Sequence, residues 1–347
     1  MENLELLLAT TKEVCTECNI MTSKNIWITW EDHRRSRELA KALEANYVAF
    51  HQRGSRYIRY PMLGLKTIFF LLYTRPDTVY CQNPSIILTT IVCFLKRVLG
   101  YKVIVDRHSN FKFQLIRSKK WKWKIFHLLS RYTIRKADLT IVTNDYLKDY
   151  VDSQNGHGFV LPDKLPTLSS ANIKPLKGEF NFVFISTFSD DEPIEAVITA
   201  MIGMDQSCHL YVTGRYSSYP DIDKLLSNLP TNVTLTGFLS EFDYQSLIAS
   251  ADTLIIITDQ EYTLTCGAYE AVALEKPMVL GDTETLRNYF SLGAVYTGTD
   301  TVSIMDSLKL AKEIYKENGV SVKALKKILI LNWNTQFSAL QEAINKL

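Results

Sequence analysis

Short runs of β-branched and aromatic residues alternate with amphipathic stretches along almost the whole chain. In the first half, the strand-like runs NIWITW (25–30), DTVYCQ (77–82), YKVIVDRH (101–108) and ADLTIVTN (137–144) are separated by stretches with helical periodicity. A strand followed by a helix and another strand is typical of parallel pairing. The alternation therefore predicts an α/β fold, with functional side chains in the loops that follow the strands.

The alternation pauses once, at a polar stretch rich in turn-forming residues, and then resumes. A chain of 347 residues is also too long for one ordinary hydrophobic core. We therefore predict two Rossmann-like domains that face each other across a cleft. The predicted segments are an N-terminal acceptor-binding domain (1–166), a linker (167–179), a C-terminal nucleotide-sugar-binding domain (180–330) and a final helix that crosses back to the first domain (331–347).

Composition excludes several classes of protein. The net charge is only +2 and 22% of the residues are charged, which is typical of a globular protein and not of a nucleic-acid-binding or disordered one. Cys15 and Cys18 form an isolated CxxC without the second pair that a zinc site needs. The DxD of Asp221 and Asp223 lies in a helix-like stretch and is interpreted as charge at a helix start. We expect neither a metal nor a cofactor.

The apolar runs do not predict a membrane-spanning segment. The two longest, at 68–73 and 86–95, fall short of the roughly 20 residues that cross a bilayer. The N-terminus carries acidic residues before its short apolar run, unlike a signal peptide. We expect a cytoplasmic protein whose membrane contact is peripheral.

One segment is strongly basic and aromatic. Between residues 107 and 137 there are ten Lys and Arg residues and no acid. Lysines interleaved with tryptophans suit an anionic membrane surface, although a basic helix with an ordinary core face, or a site for single-stranded nucleic acid, would give a similar pattern. We favour the membrane, with no nucleic-acid partner, and expect the contacts from Lys119, Lys120, Trp121, Lys122, Trp123 and Lys124.

Polar residues follow two strands of the first half. His108 and Asn110 lie at the carboxyl end of the strand-like run at 101–108, where active-site residues of parallel sheets are common. After the first strand, Asp32 or His33 is a candidate general base for a hydroxyl acceptor. A solvated first helical turn explains the second group equally well.

In the second half, two loops that follow strands have the composition of phosphate-binding loops. Ser186 and Thr187 offer hydroxyl and amide donors, and Gly214 with Arg215 offers a tight turn beside a cation. Each is a weak signal alone. A third segment, TCGAYEAVALEKPMVLGD (265–282), places Glu270 near the start of an apolar helix.

With these pieces placed, the chain resembles GT-B glycosyltransferases, particularly the large family-4-like group. GAYEAVALEKPMV is similar to the helix and proline turn that hold the donor nucleotide in that family, with its ribose-binding carboxylate at Glu270. VTLTGFLSEFDYQSLIASADTLI and NWNTQFSALQEAINKL resemble the family's preceding elements and its final crossing helix. The resemblance implies that the helix N-terminus binds the diphosphate through the amides of Thr265, Cys266, Gly267 and Ala268.

A narrower resemblance links the chain to the mannosyltransferases that extend chitobiosyl-diphosphodolichol. It rests on YCQNPSIILTTIVCFLKRVLGYKVIVDRHSNF and on STFSDDEPIEAVITAM. It implies a lipid-diphosphate acceptor at a membrane face. The chain departs from family-4 enzymes eight residues before Glu270, where their sugar-binding glutamate is replaced by Tyr262, and in lacking an evident arginine–lysine pair and N-terminal glycine-rich turn.

Together these features predict a metal-independent hexosyltransferase that moves a sugar from a nucleotide diphosphate sugar to a lipid-linked or glycan precursor. In this prediction His108 contacts the sugar or its acceptor, and Arg215 adds a charge for the diphosphate. Two alternatives stay open at this point: a nucleotide-sugar 2-epimerase of the same fold, and a non-catalytic, membrane-associated relative.

Overall fold

The chain forms two compact units, each with its own parallel sheet. The computed structural model describes residues 24–347 except residues 53, 84, 109–110, 169–172 and 221. The described residues up to Asp163, together with Thr335–Leu347, form the first unit, and Lys164–Asn334 form the second. The predicted α/β fold is confirmed. The isolated CxxC of Cys15 and Cys18 lies outside the described residues.

The first unit alternates strands and helices as predicted. Its elements are β1 (Asn25–Thr29), α1 (Arg34–Ala42), β2 (Asn46–Ala49), α2 (Arg56–Thr74), β3 (Thr78–Gln82), α3 (Ile86–Leu99), β4 (Lys102–Asp106), α4 (Trp121–Lys136), β5 (Leu139–Val142), α5 (Asp145–Ser153) and β6 (Gly158–Val160). The strands pair in parallel in the order β2-β1-β3-β4-β5-β6. The chain reverses its direction across the sheet between β1 and β3, where open α/β sheets bind ligands.

The second unit has the strand order of dinucleotide-binding folds. Its elements are β7 (Phe180–Phe184), α6 (Ile194–Ala200), β8 (Cys208–Thr213), α7 (Ile222–Ser227), β9 (Val233–Gly237), α8 (Glu241–Ser250), β10 (Thr253–Ile256), α9 (Cys266–Ala273), β11 (Met278–Gly281), α10 (Glu284–Tyr289), β12 (Ala294–Thr297), α11 (Thr301–Glu313) and α12 (Tyr315–Asn345). The parallel order is β9-β8-β7-β10-β11-β12. The reversal lies between β7 and β10, so the loops after these two strands meet at the expected ligand position.

The hydrophobic cores explain why the strands read as continuous apolar runs. Every residue of β3 and every residue of β7 is buried, because helices cover both faces of a parallel sheet. In the first unit Ile26, Phe70 and Val92 meet in one cluster between the sheet and its helices. In the second unit Phe182 and Leu254 belong to clusters on opposite faces of the sheet.

Two helix boundaries differ from the sequence interpretation. Asparagine followed by proline is a common start of a helix, so the sequence predicts that Asn83 caps α3, but the cap is Ser85, whose hydroxyl accepts from the Leu88 amide at 3.4 Å. The final helix begins at Tyr315, well before residue 331. Its buried residues Val322, Leu325 and Leu329 keep a helical spacing. The many polar residues of this segment obscured that spacing in the sequence.

Candidate active site

A buried arginine clamps the end of β4 in the first unit. The Arg35 Nε atom donates to both carboxylate oxygens of Asp106, at 3.0 and 3.2 Å, and Nη2 lies 3.0 Å from Oδ1. The remaining donors reach Asp163 Oδ1 at 2.5 Å and the Leu161 carbonyl at 2.9 Å. Burial is the largest single effect on the pKa of Asp106 and would raise it, but the charges and hydrogen bonds of Arg35 and His108 together outweigh burial, and the pKa falls to about 2. Asp106 is therefore a permanent carboxylate.

Asp106 in turn holds His108, a predicted site residue. The His108 Nδ1 atom lies 3.2 Å from Asp106 Oδ2, which fixes the ring and directs Nε2 away from the carboxylate. The His33 ring stands beside it, with ring centroids 5.2 Å apart. Burial, followed by the neighbouring His108, lowers the pKa of His33, so its imidazole is neutral near pH 7. The loops after β1 and β4 thus bring two predicted histidines together.

The other candidate base, Asp32, is less suited to that role. Its carboxylate accepts from the Tyr47 hydroxyl at 2.9 Å and from the Arg37 guanidinium. The hydrogen bond from Tyr47 is the largest of the effects on its pKa, which is lowered. Because Tyr47 and Arg37 already donate to this carboxylate and its pKa is lowered, Asp32 is a weaker candidate base than His33.

Three residues outside the predicted set of site residues complete this edge. Arg35 and Asp106 form the clamp, and Asn83 follows β3, the strand between β1 and β4. Asn83 is 1% exposed, yet neither side-chain polar atom has a hydrogen-bond partner in the part of the chain that the structure describes. Its backbone amide donates to the Asp106 carbonyl at 3.0 Å. The polar Gln82 and Asn83 at the end of a fully buried strand were the available signal. The predicted acceptor residue Asn110 lies outside the described residues.

In the second unit, Glu270 is half-buried on α9 and held by a tyrosine. The Tyr244 hydroxyl, from α8, donates to Glu270 Oε2 at 2.5 Å. Burial raises the pKa of Tyr244 far above its usual value, and the negative charge of Glu270 adds to the shift. Tyr244 is therefore a constant donor that orients the carboxylate. No sequence pattern pointed to this tyrosine, because the pairing joins two different helices.

The approach to α9 explains its small residues. Thr265 precedes the helix, and its buried hydroxyl oxygen has no hydrogen-bond partner among the described residues. A Cβ atom on Gly267 would lie 2.9 Å from Ile256 Cγ1 and 3.1 Å from Ile185 Cδ1. Gly267 is thus required for α9 to pack against the sheet. Cys266 is exposed and Ala268 is buried, and the Ala268 amide, one of the predicted donors, already donates to the Thr265 carbonyl at 3.1 Å.

The loop after β7 wraps around an internal carboxylate. Glu192 accepts from the Ser186 hydroxyl at 2.8 Å, from the Thr187 amide at 3.0 Å and from the Ser189 amide at 3.1 Å. The donors that we predicted for a diphosphate therefore form an anion site, and Glu192 occupies it. Phe188 within this loop takes a φ of 58°, a left-handed conformation that bulky residues rarely adopt without support from their surroundings.

Gly214 and Arg215 follow β8 at the same edge of the sheet. Gly214 has a φ of +107°, and a Cβ atom there would lie 2.3 Å from the Ser186 carbonyl oxygen. Only glycine lets the two loops approach this closely. The exposed Arg215 places its guanidinium 5.4 Å from the centre of the Phe238 ring, in the loop after β9.

The residue that replaces the expected sugar-binding glutamate also lies after β10. The Tyr262 hydroxyl donates to Gln260 Oε1 at 3.2 Å within its own loop. Its neighbour Glu261 accepts from the Thr285 amide at the start of α10, at 3.2 Å. Glu261 therefore supports the next helix.

The basic, aromatic segment lies on the surface of the first unit. Trp121 is 74% exposed at the start of α4, and the Lys122 ammonium lies 4.9 Å from the centre of the half-buried Trp123 ring. Lys119 and Lys120 directly precede the helix, and Lys124 is exposed within it. The buried residues of α4 are instead His127, Ser130, Thr133 and Ile134. The tryptophans do not belong to the core.

The described residues contain no group of three or more His, Cys, Asp or Glu side chains placed to hold a metal ion. Nor do they include a helix that is both long and apolar enough to cross a membrane. Asp221, one half of the DxD pattern, lies outside them.

Comparison with known proteins identifies the fold. No protein-family model and no curated protein matches the sequence. Among solved structures, Anabaena HepE in complex with UDP and glucose is similar with a TM-score of 0.70 and 11% identity, over 94% of this chain and 100% of that one.

Two further structures are similar to a comparable extent. Sucrose-phosphate synthase from Thermosynechococcus elongatus gives a TM-score of 0.67 at 13% identity, over 86% of this chain and 80% of that one. A putative UDP-N-acetylglucosamine 2-epimerase from Listeria monocytogenes gives 0.64 at 10% identity, over 94% and 98%. At these identities the likeness concerns the fold alone. With two parallel six-stranded sheets, the chain has the GT-B fold, built from two Rossmann-like units.

Proposed function

We propose that the protein is a metal-independent hexosyltransferase that uses a nucleotide diphosphate sugar. The observation that carries this proposal is the position of Glu270. Its carboxylate is oriented by Tyr244 and lies on the helix that follows β10, beside the strand reversal of a sheet with dinucleotide-binding order. A carboxylate there is suited to accept hydrogen bonds from both hydroxyls of a ribose.

The diphosphate would lie against the start of α9. Amides of a first helical turn and the helix dipole favour anions, and Thr265 adds a hydroxyl without a partner among the described residues. Arg215 would contribute a positive charge. The similar HepE structures contain UDP and UDP-glucose, which supports a nucleotide sugar as the donor class here.

We assign the acid–base chemistry to residues of the first unit. An acceptor hydroxyl oxygen attacks the anomeric carbon of the sugar, the bond from that carbon to the phosphate oxygen breaks, and the nucleoside diphosphate leaves. The hydroxyl proton passes to His33, whose lowered pKa keeps it neutral and able to accept. His108, oriented by Asp106, contacts the sugar or the acceptor. Amides at the α9 terminus stabilise the charge that develops on the leaving phosphate.

The acceptor is proposed to be a lipid-linked or glycan precursor at the cytoplasmic face of a membrane. The resemblance to mannosyltransferases that extend chitobiosyl-diphosphodolichol supports a lipid-diphosphate acceptor. The exposed Trp121 and its neighbouring lysines support an anionic membrane surface as the partner, with no nucleic acid involved.

The nucleotide site is tested by substituting Glu270→Gln and measuring UDP affinity by calorimetry. Loss of a charged acceptor for two hydroxyls should weaken binding by about tenfold or more, since hydrogen bonds to charged groups contribute roughly 1.5–3 kcal/mol. Glu275→Gln is the matched control, because Glu275 directly follows the same helix and pairs with Lys326 at 3.0 Å. Unchanged affinity in Glu270→Gln would refute the ribose role.

The alternative function is that of a nucleotide-sugar 2-epimerase, because one similar structure is described as a putative enzyme of that kind. An epimerase needs no acceptor, so it would convert a nucleotide sugar in a reaction that contains nothing else. A transferase would release nucleoside diphosphate only in step with glycosylation of an acceptor. Nucleotide binding without either reaction would identify a non-catalytic relative.

A further inference from the structure

Helix α2 carries an apolar stripe on the side that points away from the core. Its buried residues include Leu63, Phe70 and Leu71. A second set of apolar side chains recurs at alternating spacings of four and three, so it forms one line along the helix. This outer set consists of Ile58, Met62, Leu65, Phe69 and Leu72, which are exposed or half-exposed.

Helices α3 and α4 repeat this arrangement. Phe94 is 65% exposed and Val98 is 70% exposed on α3, in line with Ile87 and Ile91. On α4 the same spacing joins Trp121, Ile125, Leu128 and Tyr132. A helix that covers a sheet normally has a polar outer side. Three consecutive helices of this unit instead have apolar residues on both sides.

The topology places the three stripes on one surface. The connections β2–β3, β3–β4 and β4–β5 all run in the same direction across the sheet. Right-handed crossovers then put α2, α3 and α4 on the same face, and α3 packs beside both of the others. The outer stripes of these three helices form one continuous surface, here named the docking face.

The charged residues of the three helices that form the docking face have one sign. Helix α2 contains three Lys and Arg residues, α3 contains two and α4 contains five, and none of the three contains an acid. Two copies of the chain brought together through this face would repel one another. An anionic surface with an apolar interior complements both properties, since it neutralises the cations and accepts the apolar side chains.

A groove of about 1310 Å³ crosses the docking face at α3. Ile91, Phe94 and Leu129 line it, together with the cationic Arg97 and Lys136. The acidic Asp138 also lines it, but it is paired with Lys96 at 2.6 Å. An apolar channel beside Arg97 and Lys136, which form no ion pair within the described part of the chain, fits one acyl chain and the phosphate of an anionic lipid.

We propose that the protein docks on an anionic bilayer through all three helices, with an acyl chain in the groove over α3, and not through the basic segment alone. This inference rests on the membrane location in the proposed function and specifies its contact surface. The proposal differs from the sequence prediction, which placed the membrane contacts in the basic, aromatic segment alone. Helices α2 and α3 lie outside that segment, and their contribution follows only from the fold.

The proposal is tested by sedimentation of the full chain with vesicles of phosphatidylcholine, with and without phosphatidylglycerol. The chain should bind the anionic vesicles, and added salt should weaken the binding. Phe94→Glu with Val98→Glu places two acids at the centre of the docking face and should lower the partition coefficient at least about tenfold. Val302→Glu, at an exposed apolar position in the second unit, is the matched control and should bind as the wild type does.

A milder variant, Leu65→Glu on α2, keeps the test valid if the double variant does not fold, as judged by its thermal transition. The three-helix proposal would be overturned if Trp121→Glu lowered vesicle binding while Leu65→Glu and the double variant Phe94→Glu with Val98→Glu both bound as the wild type does. So would equal binding to neutral vesicles, or light scattering that shows a dimer dispersed by Leu65→Glu without any vesicle binding. UDP affinity, measured in parallel, reports separately on the proposed function.

Discussion

Arg35 contributes both to stability and to the geometry of the candidate site. Its guanidinium is almost fully buried, and burial would lower its pKa, but Asp106 and Asp163 outweigh that effect and raise the pKa above its ordinary value. Bidentate contact with Asp106 and a bond to the Leu161 carbonyl offset the cost of removing the charges from water. The clamp therefore keeps Asp106 ionised and directed at His108.

Replacing Arg35 should therefore destabilise the protein strongly. We expect Arg35→Leu to lower the free energy of unfolding by roughly 3–5 kcal/mol, because Asp106 would remain buried without its partner. Arg34→Leu is the control, since Arg34 lies half-exposed beside Glu38 at 3.7 Å, and its effect should stay within about 0.5 kcal/mol. Urea denaturation followed by circular dichroism measures both. Equal losses in the two variants would contradict the role of the clamp.

The two histidines predict a pH dependence of transfer. The base must be neutral, and the folded-state pKa of His33 is lowered from 6.5, so kcat/KM should be constant near pH 7 and fall only as the pH drops below 6.5. His33→Gln should abolish this acid limb along with most of the activity. His108→Gln should reduce kcat but keep the limb. A pH–rate profile of His33→Gln that retains the limb would exclude His33 as the base.

At the scale of elements, strands were predictable and their contacts were not. Buried parallel strands leave continuous apolar runs, so β3, β4 and β7 stand out in the sequence. Polar residues such as His108 and Ser186 could then be identified as site candidates, because they lie where these strands end. The boundary of α3 was missed because Asn83 and Ser85 are both ordinary capping residues, and only the fold buries Asn83.

Long-range pairings explain the remaining gaps in the sequence prediction. Glu270 was identified from its place on a helix, but its partner Tyr244 lies on another helix 26 residues away. The donors of the loop after β7 were also anticipated, whereas their internal acceptor Glu192 was not. Gly267 was predicted to offer its amide to a diphosphate, and the structure shows in addition that close packing on Ile256 requires a glycine there. Each of these depends on tertiary neighbours.

At the scale of the whole molecule, the first unit is discontinuous in sequence. It includes Thr335–Leu347, the end of α12. Ile344 and Gln341 line a pocket with Asn25 and Thr78, which begin strands β1 and β3. This end of the helix thus supports the edge of the sheet opposite to the one that carries His33 and His108.

A substitution in this last segment should destabilise the first unit without altering its chemistry. Leu340 is fully buried, and Leu340→Ala should cost about 2–5 kcal/mol, the usual effect of such a cavity. The exposed Glu342→Ala on the same helix is the control. Hydrogen exchange resolved by peptide measures the loss, which should appear in β1 and β3, while UDP affinity stays unchanged. Faster exchange confined to the second unit would contradict this division of the chain.

The discontinuity also fixes an order of events during synthesis. The ribosome completes β1 to β6 and then the whole second unit before residues 335–347 emerge. Synthesis adds about 5–20 residues per second, so roughly ten to thirty seconds pass between completion of the first sheet and synthesis of the helix end that covers the edge where β1 and β3 begin. During that interval the nascent chain presents incompletely covered apolar surface, so the second unit can finish folding before the first one does.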